Sequence, residues 1–382
     1  MSTCHVYFYD GWLSVSPTTI GVVKILSKHF DKVVIYQQKT HFRKYIFSEK
    51  NIEIKAIYNS FYWKKSDKPK NFAKKIKKMF SKNNLFDKEK DWFLCIDESS
   101  LETVSEIVGD SQNLMYLSLE LPSTACTYSE KQCEMFNKMK VVMVQDDNRL
   151  NTLKQVYKAD DINQKAVIVY VPNNTVPNKS SKHLIGVGEQ FEDIPQGKVK
   201  CASIGMVEPP VYALEIAKSF KDINNAVLIY HDRSKIHTSK PYVKEILKNN
   251  DKNIYLSKQV YDFEDIEFAY KGFDIGIACY RPLNDDFKFI GKASGKLCFY
   301  MMYNIPVIVN RLPGLADLVE KYNCGAVIDD VENPFQWQEA INKIMSDYDG
   351  YKSRVAECYK QEFDFIERVK PLEEFLSQNN SQ

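Results

Sequence analysis

A chain of 382 residues is too long for one ordinary hydrophobic core, so two domains are expected. With 44% hydrophobic and 27% charged residues it is globular rather than disordered, and a net charge of +2 gives no global field that would argue for nucleic acid. Nine cysteines occur without a Cys-x-x-Cys pair, several in apolar runs such as Phe93-Leu-Cys-Ile96, which favours buried free thiols in a reducing compartment over a disulfide framework.

The start, Met1-Ser-Thr-Cys-His-Val-Tyr-Phe-Tyr9, lacks the basic region and long apolar core of a signal peptide. No stretch approaches the ~18 uncharged apolar residues of a membrane span, so a cytoplasmic protein is expected. His5–Tyr9 is a predicted strand. A polar loop follows, then a helix from Pro17 to about His29, capped by Ser16. Further β-rich runs lie at Lys32–Tyr36, Ile52–Ala56, Trp92–Ile96, Leu114–Leu117, Val141–Val144 and Ala166–Tyr170, with helical segments between most of them. Such alternation means parallel strands with crossover helices.

The segment from Lys64 to Lys82 stands apart. Phe72, Ile76, Met79 and Phe80 share one face of a helix that is otherwise covered by Lys74, Lys75, Lys77 and Lys78. It suits an anionic membrane surface on the inner side of the plasma membrane; the alternative is a surface helix packed on its own domain. From Val171 to about Lys198 the alternation breaks into Pro, Asn, Ser, Gly and Gln. The expected division is therefore a first domain at 1–178, a linker at 179–199, a second domain at 200–350 and a helical tail at 351–382.

The second half repeats the pattern. Strands are expected at Cys201–Ile204, Ala226–Tyr230 and Asn253–Leu256, with helices at Pro210–Phe220, Tyr242–Lys248 and Phe263–Tyr270. Asp274–Cys279 and Ile305–Val309 are buried strands that flank a loop and a short apolar helix, and Gly325–Ile328 is the next strand. The loop contains Gly291-Lys-Ala-Ser-Gly-Lys296. A loop that feeds a helix at the carboxyl end of a parallel sheet binds anions, and two lysines with small residues suit a phosphate. Gly291-x3-Gly295-Lys296-Leu297 is one residue too short for a Walker A loop, and Leu297 replaces the Ser/Thr that would hold magnesium. The helix-terminus reading puts Lys292, Ser294, Gly295 and Lys296 on a diphosphate; the alternative is a glycine-containing loop with solvated lysines.

Gly291-Lys-Ala-Ser-Gly-Lys-Leu297, then Pro306-Val-Ile308, Pro313-Gly314, Asp317 and Gly325 resemble the donor region of group 1 (family 4-like) glycosyltransferases with the GT-B fold. Asp10-Gly-Trp12 through Ser16-Pro-Thr-Thr-Ile20 looks like that superfamily's first loop and helix. Met115–Pro122 and Val144–Arg149 resemble its central acceptor-domain strands. The likeness spans nearly the whole chain. It implies an α/β protein of two doubly wound Rossmann-like domains facing across a cleft, with Tyr351–Phe375 crossing back to the first. It also implies transfer of a sugar from a nucleotide diphosphate, UDP by family habit, to a glycan, lipid-linked or protein acceptor, as in surface polysaccharide or glycoconjugate synthesis.

The sequence departs from that pattern. Counted back from Pro306, Gly291 and Phe299 stand where many retaining members carry a Glu-x7-Glu pair. Gly205-Met-Val-Glu-Pro209 stands where an Arg and a Lys are usual. Phosphate charge is then assigned to Lys292 and Lys296, next to Arg233 and Lys235, and then to Arg281; Asp317 either accepts from ribose or sugar hydroxyls or caps a helix. For a base, Asp10, Asp97, Glu98 and Glu120 follow predicted strands, and Glu120 leads because its apolar neighbours Leu119 and Leu121 suggest burial; the alternative is a buried carboxylate bonded to backbone. No metal or other cofactor is expected: six histidines lack ligand spacing, and Asp347-Tyr-Asp349 suits a helix end. The alternatives are a GT-B partner subunit without catalysis and a sugar-nucleotide epimerase.

Overall fold

A computed structural model describes residues 2–39, 44–58, 68–83, 87, 89–108, 111, 113–177, 182–248 and 252–380. The chain divides into two compact units: Met1–Thr175 with Phe365–Gln382, and Val176–Asp364.

The first unit is built on strands β1 (Thr3–Phe8), β2 (Lys32–Gln38), β3 (Ile52–Ile57), β4 (Trp92–Ile96), β5 (Leu114–Leu117), β6 (Val141–Val144) and β7 (Val167–Tyr170). All pair in parallel, in the order β3-β2-β1-β4-β5-β6-β7. The strands β1, β4, β5 and β6 are buried on both faces, as their continuous apolar runs require. Strand order reverses between β1 and β4, so the loops after Phe8 and Ile96 flank the switch point.

The helix Pro17–His29 forms as expected, but Ser16 does not cap it with its side chain; the Ser16 and Thr19 hydroxyls bond each other at 2.7 Å. The basic helix spans Lys68–Asn83, and residues 64–67 lie outside the described ones. Phe72, Ala73 and Ile76 are buried, with Phe72 edge-on to Tyr9. Of the apolar face expected to meet lipid, Phe72 and Ile76 are thus taken up by the protein's own core and Met79 is half-buried, while the side chain of Phe80 lies outside the described residues; Lys70, Lys74, Lys77 and Lys78 are exposed.

The second unit carries β8 (Val199–Ile204), β9 (Ala226–His231), β10 (Ile254–Leu256), β11 (Ile275–Ala278), β12 (Val307–Asn310) and β13 (Gly325–Ile328), again parallel, in the order β10-β9-β8-β11-β12-β13. Its switch point lies between β8 and β11. The stretch expected as a linker is packed onto this unit where it is described: Lys182 pairs with buried Asp265 at 2.5 Å, and Gly188 receives Lys200 Nζ on its carbonyl at 2.7 Å. Residues 179–181 lie outside the described ones. The helix Tyr348–Cys358 also stays with the second unit, and the chain leaves it at Asp364, so the return begins later than Tyr351. In the first unit, the returning Phe365 and Thr175 both press on Gly21, where a Cβ would stand 2.4 Å from Phe365 Cζ and 2.5 Å from Thr175 Oγ1.

Among the described residues no helix is long and apolar enough to cross a membrane. The cysteines are free thiols, most of them buried.

Candidate functional site

In the second unit, the carboxyl ends of β8 and β11 hand over to Gly205 and Cys279-Tyr280. Gly205 has φ +116°, which a side chain rarely adopts, and a Cβ there would meet Lys296 Cε at 3.7 Å. Lys296 belongs to the first turn of the helix Gly295–Met302. Ser294 caps that helix by accepting from the Leu297 amide at 3.1 Å, and its hydroxyl also bonds the Tyr280 hydroxyl. Asn310 holds the Tyr280 backbone from both sides, accepting from its amide at 2.9 Å and donating to its carbonyl at 2.8 Å.

The Lys296 ammonium lies 5.0 Å from the centre of the Tyr280 ring and is only 9% exposed. Among the described residues no carboxylate pairs with it. Burial lowers its pKa to about 8, helped by the nearby charge of Arg233 and opposed by Cys279 and Asp232. A buried ammonium in the first turn of a helix, with a second cation close by, is chemically suited to hold an anion.

The other donor candidates separate. Arg233 and Lys235 lie exposed on the loop after β9, Arg233 close enough for its charge to act on Lys296. Lys292 does not join Lys296; its ammonium pairs with Glu362 at 2.6 Å. Arg281 is likewise engaged, to Glu215 at 2.6 Å and the Pro209 carbonyl at 2.9 Å, with its guanidinium over Tyr212. It braces the loop after Gly205. Asp317 is exposed and accepts from the Gly314 amide at 2.9 Å, which closes the turn into its own helix. Asp347 makes no capping bond and pairs with Arg354 at 3.0 Å. Among the described residues no group of three or more His, Cys, Asp or Glu side chains is placed to hold a metal ion.

In the first unit, the acid candidates Asp10, Asp97 and Glu120 follow β1, β4 and β5 and lie close enough to influence one another's charge. Asp97 is buried and has φ +60°, a strained backbone for a residue with a side chain. Its Oδ1 accepts from the amides of Leu119 at 2.6 Å and Glu120 at 2.9 Å, while Oδ2 is buried with no hydrogen-bond partner among the described residues. Burial drives its pKa well up, the neighbouring charges of Glu120 and Asp10 add to this, and the two amide bonds only partly offset it. Glu120 itself is exposed, against the expectation of burial; of its two apolar neighbours Leu121 is buried and Leu119 only half-buried. Asp97 has the strongly perturbed environment, and burial also raises the pKa of the neighbouring Glu98.

Two residues of this cluster were not singled out from sequence. Gln145 donates to the Ser118 carbonyl at 2.6 Å, and buried Arg149 donates to the Leu119 carbonyl at 2.8 Å. With Asp97 they fix the backbone of 118–120 on three sides. Neither role has a signal in the local sequence, since the burial of Arg149 is visible only in the fold.

No protein-family model matches the sequence, and neither does any curated protein. Solved structures do match. Sucrose-phosphate synthase from Thermosynechococcus elongatus superposes with a TM-score of 0.72 at 12% identity, covering 100% of both chains. A glycosyltransferase from Rickettsia africae gives 0.67 at 15% identity, covering 99% of this chain and 98% of that one. HepE from Anabaena, solved with UDP and glucose, gives 0.67 at 12% identity, covering 98% and 99%. The chain has the GT-B fold. The two parallel-sheet units are those of the GT-B architecture, and the expectation of fold drawn from the short motifs is borne out. At these identities the likeness is one of fold.

Proposed function

We propose that the chain is a metal-independent glycosyltransferase that takes a nucleotide-diphosphate sugar, preferably a UDP-sugar, and transfers the sugar to a glycan or lipid-linked acceptor in surface polysaccharide or glycoconjugate synthesis. The observation that carries this reading is Lys296: a buried ammonium with no carboxylate partner among the described residues, at the sheet's switch point and in the first turn of a capped helix. A diphosphate supplies the missing anion. The same charge and the helix dipole then stabilise the leaving nucleoside diphosphate without a metal. Gly205 leaves room for that group beside Lys296, and Arg233 adds a second cation. The UDP-glucose complex of the fold relative HepE supports the choice of nucleotide.

Acceptor chemistry is assigned to the loops after β1, β4 and β5. Asp97 is the acid most suited to take or share a proton with an acceptor hydroxyl, with Asp10 and Glu120 around it. The exposed lysines of 68–83 would draw the protein to an anionic membrane by charge, without insertion of the buried apolar face.

Thermal-shift measurements against UDP, GDP, TDP and CMP sugars test the donor, and nucleotide release with and without acceptor tests transfer. Stabilisation by a UDP-sugar with acceptor-dependent UDP release supports the reading. Binding without turnover on any acceptor would mark a non-catalytic partner, and conversion of donor without acceptor an epimerase. No stabilisation by any of these nucleotides would remove it.

A further inference from the structure

Glu362 stands on a single π-helical turn, Tyr359–Phe363, immediately before the chain leaves the second unit. Such turns carry an extra residue that costs helix geometry and often serve a functional purpose. Glu362 is 9% exposed and receives three donors: Lys292 at 2.6 Å and, on its other oxygen, Lys321 at 2.9 Å and the Tyr322 hydroxyl at 2.7 Å. Burial alone would raise its pKa, but these three bonds outweigh it and hold the carboxyl at about 2, so Glu362 is a fixed anion.

Lys292 sits in the tight turn Gly291–Ala293, directly ahead of Ser294 and the helix that carries Lys296. Its carbonyl accepts from the Cys298 thiol at 3.5 Å, which ties the turn back to that helix. Gly291 is pressed on the backbone of Gly314, where a Cβ would stand 3.0 Å from the carbonyl carbon. Lys321 and Tyr322 end the helix that begins after Gly314. One carboxylate therefore ties down both segments that meet at Gly291.

We propose that Glu362 is a positioning residue for donor binding: through Lys292 it holds the Gly291–Ser294 turn, and so the Lys296 helix start, in the geometry that accepts a diphosphate. This rests on the reading of the Lys296 site as a nucleotide-diphosphate site. Lys292, on this view, is spent on the scaffold and does not touch phosphate.

The test is UDP titration by calorimetry on the full chain, with melting curves alongside. Glu362→Gln and Lys292→Met should each weaken UDP binding roughly tenfold, and the double variant should be no weaker than either single one, because both remove the same fastening. Lys321→Met takes a cation from the same carboxylate without touching the turn; it should lower the melting temperature yet leave UDP affinity within about twofold. If Lys292→Met weakens UDP while Glu362→Gln leaves or tightens it, Lys292 is a direct phosphate ligand and the proposal fails. Additive losses in the double variant would equally overturn it. Should Glu362→Gln fail to fold, the Lys292→Met and Lys321→Met pair decides: equal loss of UDP binding in both would overturn the assignment. Wild-type protein that binds no UDP would overturn the donor-site reading as well, whereas the outcomes above overturn this inference alone.

Discussion

Lys296 lies against Gly205, which has no side chain and a positive φ of +116°: a Cβ there would approach the lysine Cε to 3.7 Å. The pairing keeps space beside a desolvated ammonium. On the proposed function, one buried lysine on a different helix would supply charge beside this strand, where the sequence has Gly205-Met-Val-Glu-Pro209 and no Arg or Lys.

Replacing Lys296 by Met removes a desolvated cation and should leave the unliganded protein as stable or more stable, by about 1 kcal/mol, while UDP affinity falls at least tenfold. The sign with pH follows from a folded pKa of about 8 against 10.5 for the free group. Between those values the unfolded chain binds more protons, so stability of the unliganded protein rises with pH there. UDP affinity should move the other way and decline as pH rises through about 8. Calorimetric titrations from pH 6.5 to 9.5 check this; a flat profile would contradict it.

Asp97→Asn should stabilise the protein at neutral pH and abolish most of its turnover. Burial and the charges of Glu120 and Asp10 raise the Asp97 pKa, so the acid favours folding below its ordinary range and loses that contribution as pH rises through the raised value. Asparagine keeps an oxygen for the Leu119 and Glu120 amides without a charge. We expect a melting temperature a few degrees higher and turnover reduced by roughly 10²–10⁴. A lower melting temperature would show that the carboxylate is better satisfied than its bonds indicate.

Glu362 gives the opposite acid response. Its folded pKa of about 2 lies below the ordinary 4.5, so its contribution is present at neutral pH and disappears as pH falls from 4.5 towards 2. Glu362→Gln should lower stability by ~2 kcal/mol at pH 7, the scale of a hydrogen-bonded charge. The gap to wild type should narrow in denaturant titrations taken below pH 4.

Gly21→Val should loosen the returning segment. Its first added carbon would fall inside the contact distance of Phe365 and Thr175. We expect a loss of about 1–3 kcal/mol and faster amide exchange over 365–380. Exchange in the second unit's sheet should be unchanged.

The strands were legible in the sequence because parallel strands buried on both faces are continuous apolar runs; Trp92–Ile96, Leu114–Leu117, Val141–Val144 and Gly325–Ile328 have the same bounds in the structure. Side-chain partners were not legible, since they depend on residues far along the chain. Lys292 finds Glu362 across 70 positions and Arg281 finds Glu215 across 66, and no local pattern announces either. Glu120 misled for a related reason. Apolar neighbours imply burial within a strand, where side chains alternate, but β5 ends at Leu117 and the loop beyond obeys no such alternation. There the structure uses the backbone amide of Glu120, bonded to Asp97, and turns its carboxylate outward.

The meeting of Thr175 and Phe365 on Gly21 also sets an order of assembly. The second unit is one unbroken stretch of chain and has everything it needs once Asp364 has been synthesised. The first unit begins earlier but needs Phe365, Val369, Leu372 and Leu376, all buried in the finished protein. The earlier-made unit therefore cannot complete its core while the second unit is being synthesised, and part of its apolar surface stays uncovered until Phe365 and the residues after it are free to pack.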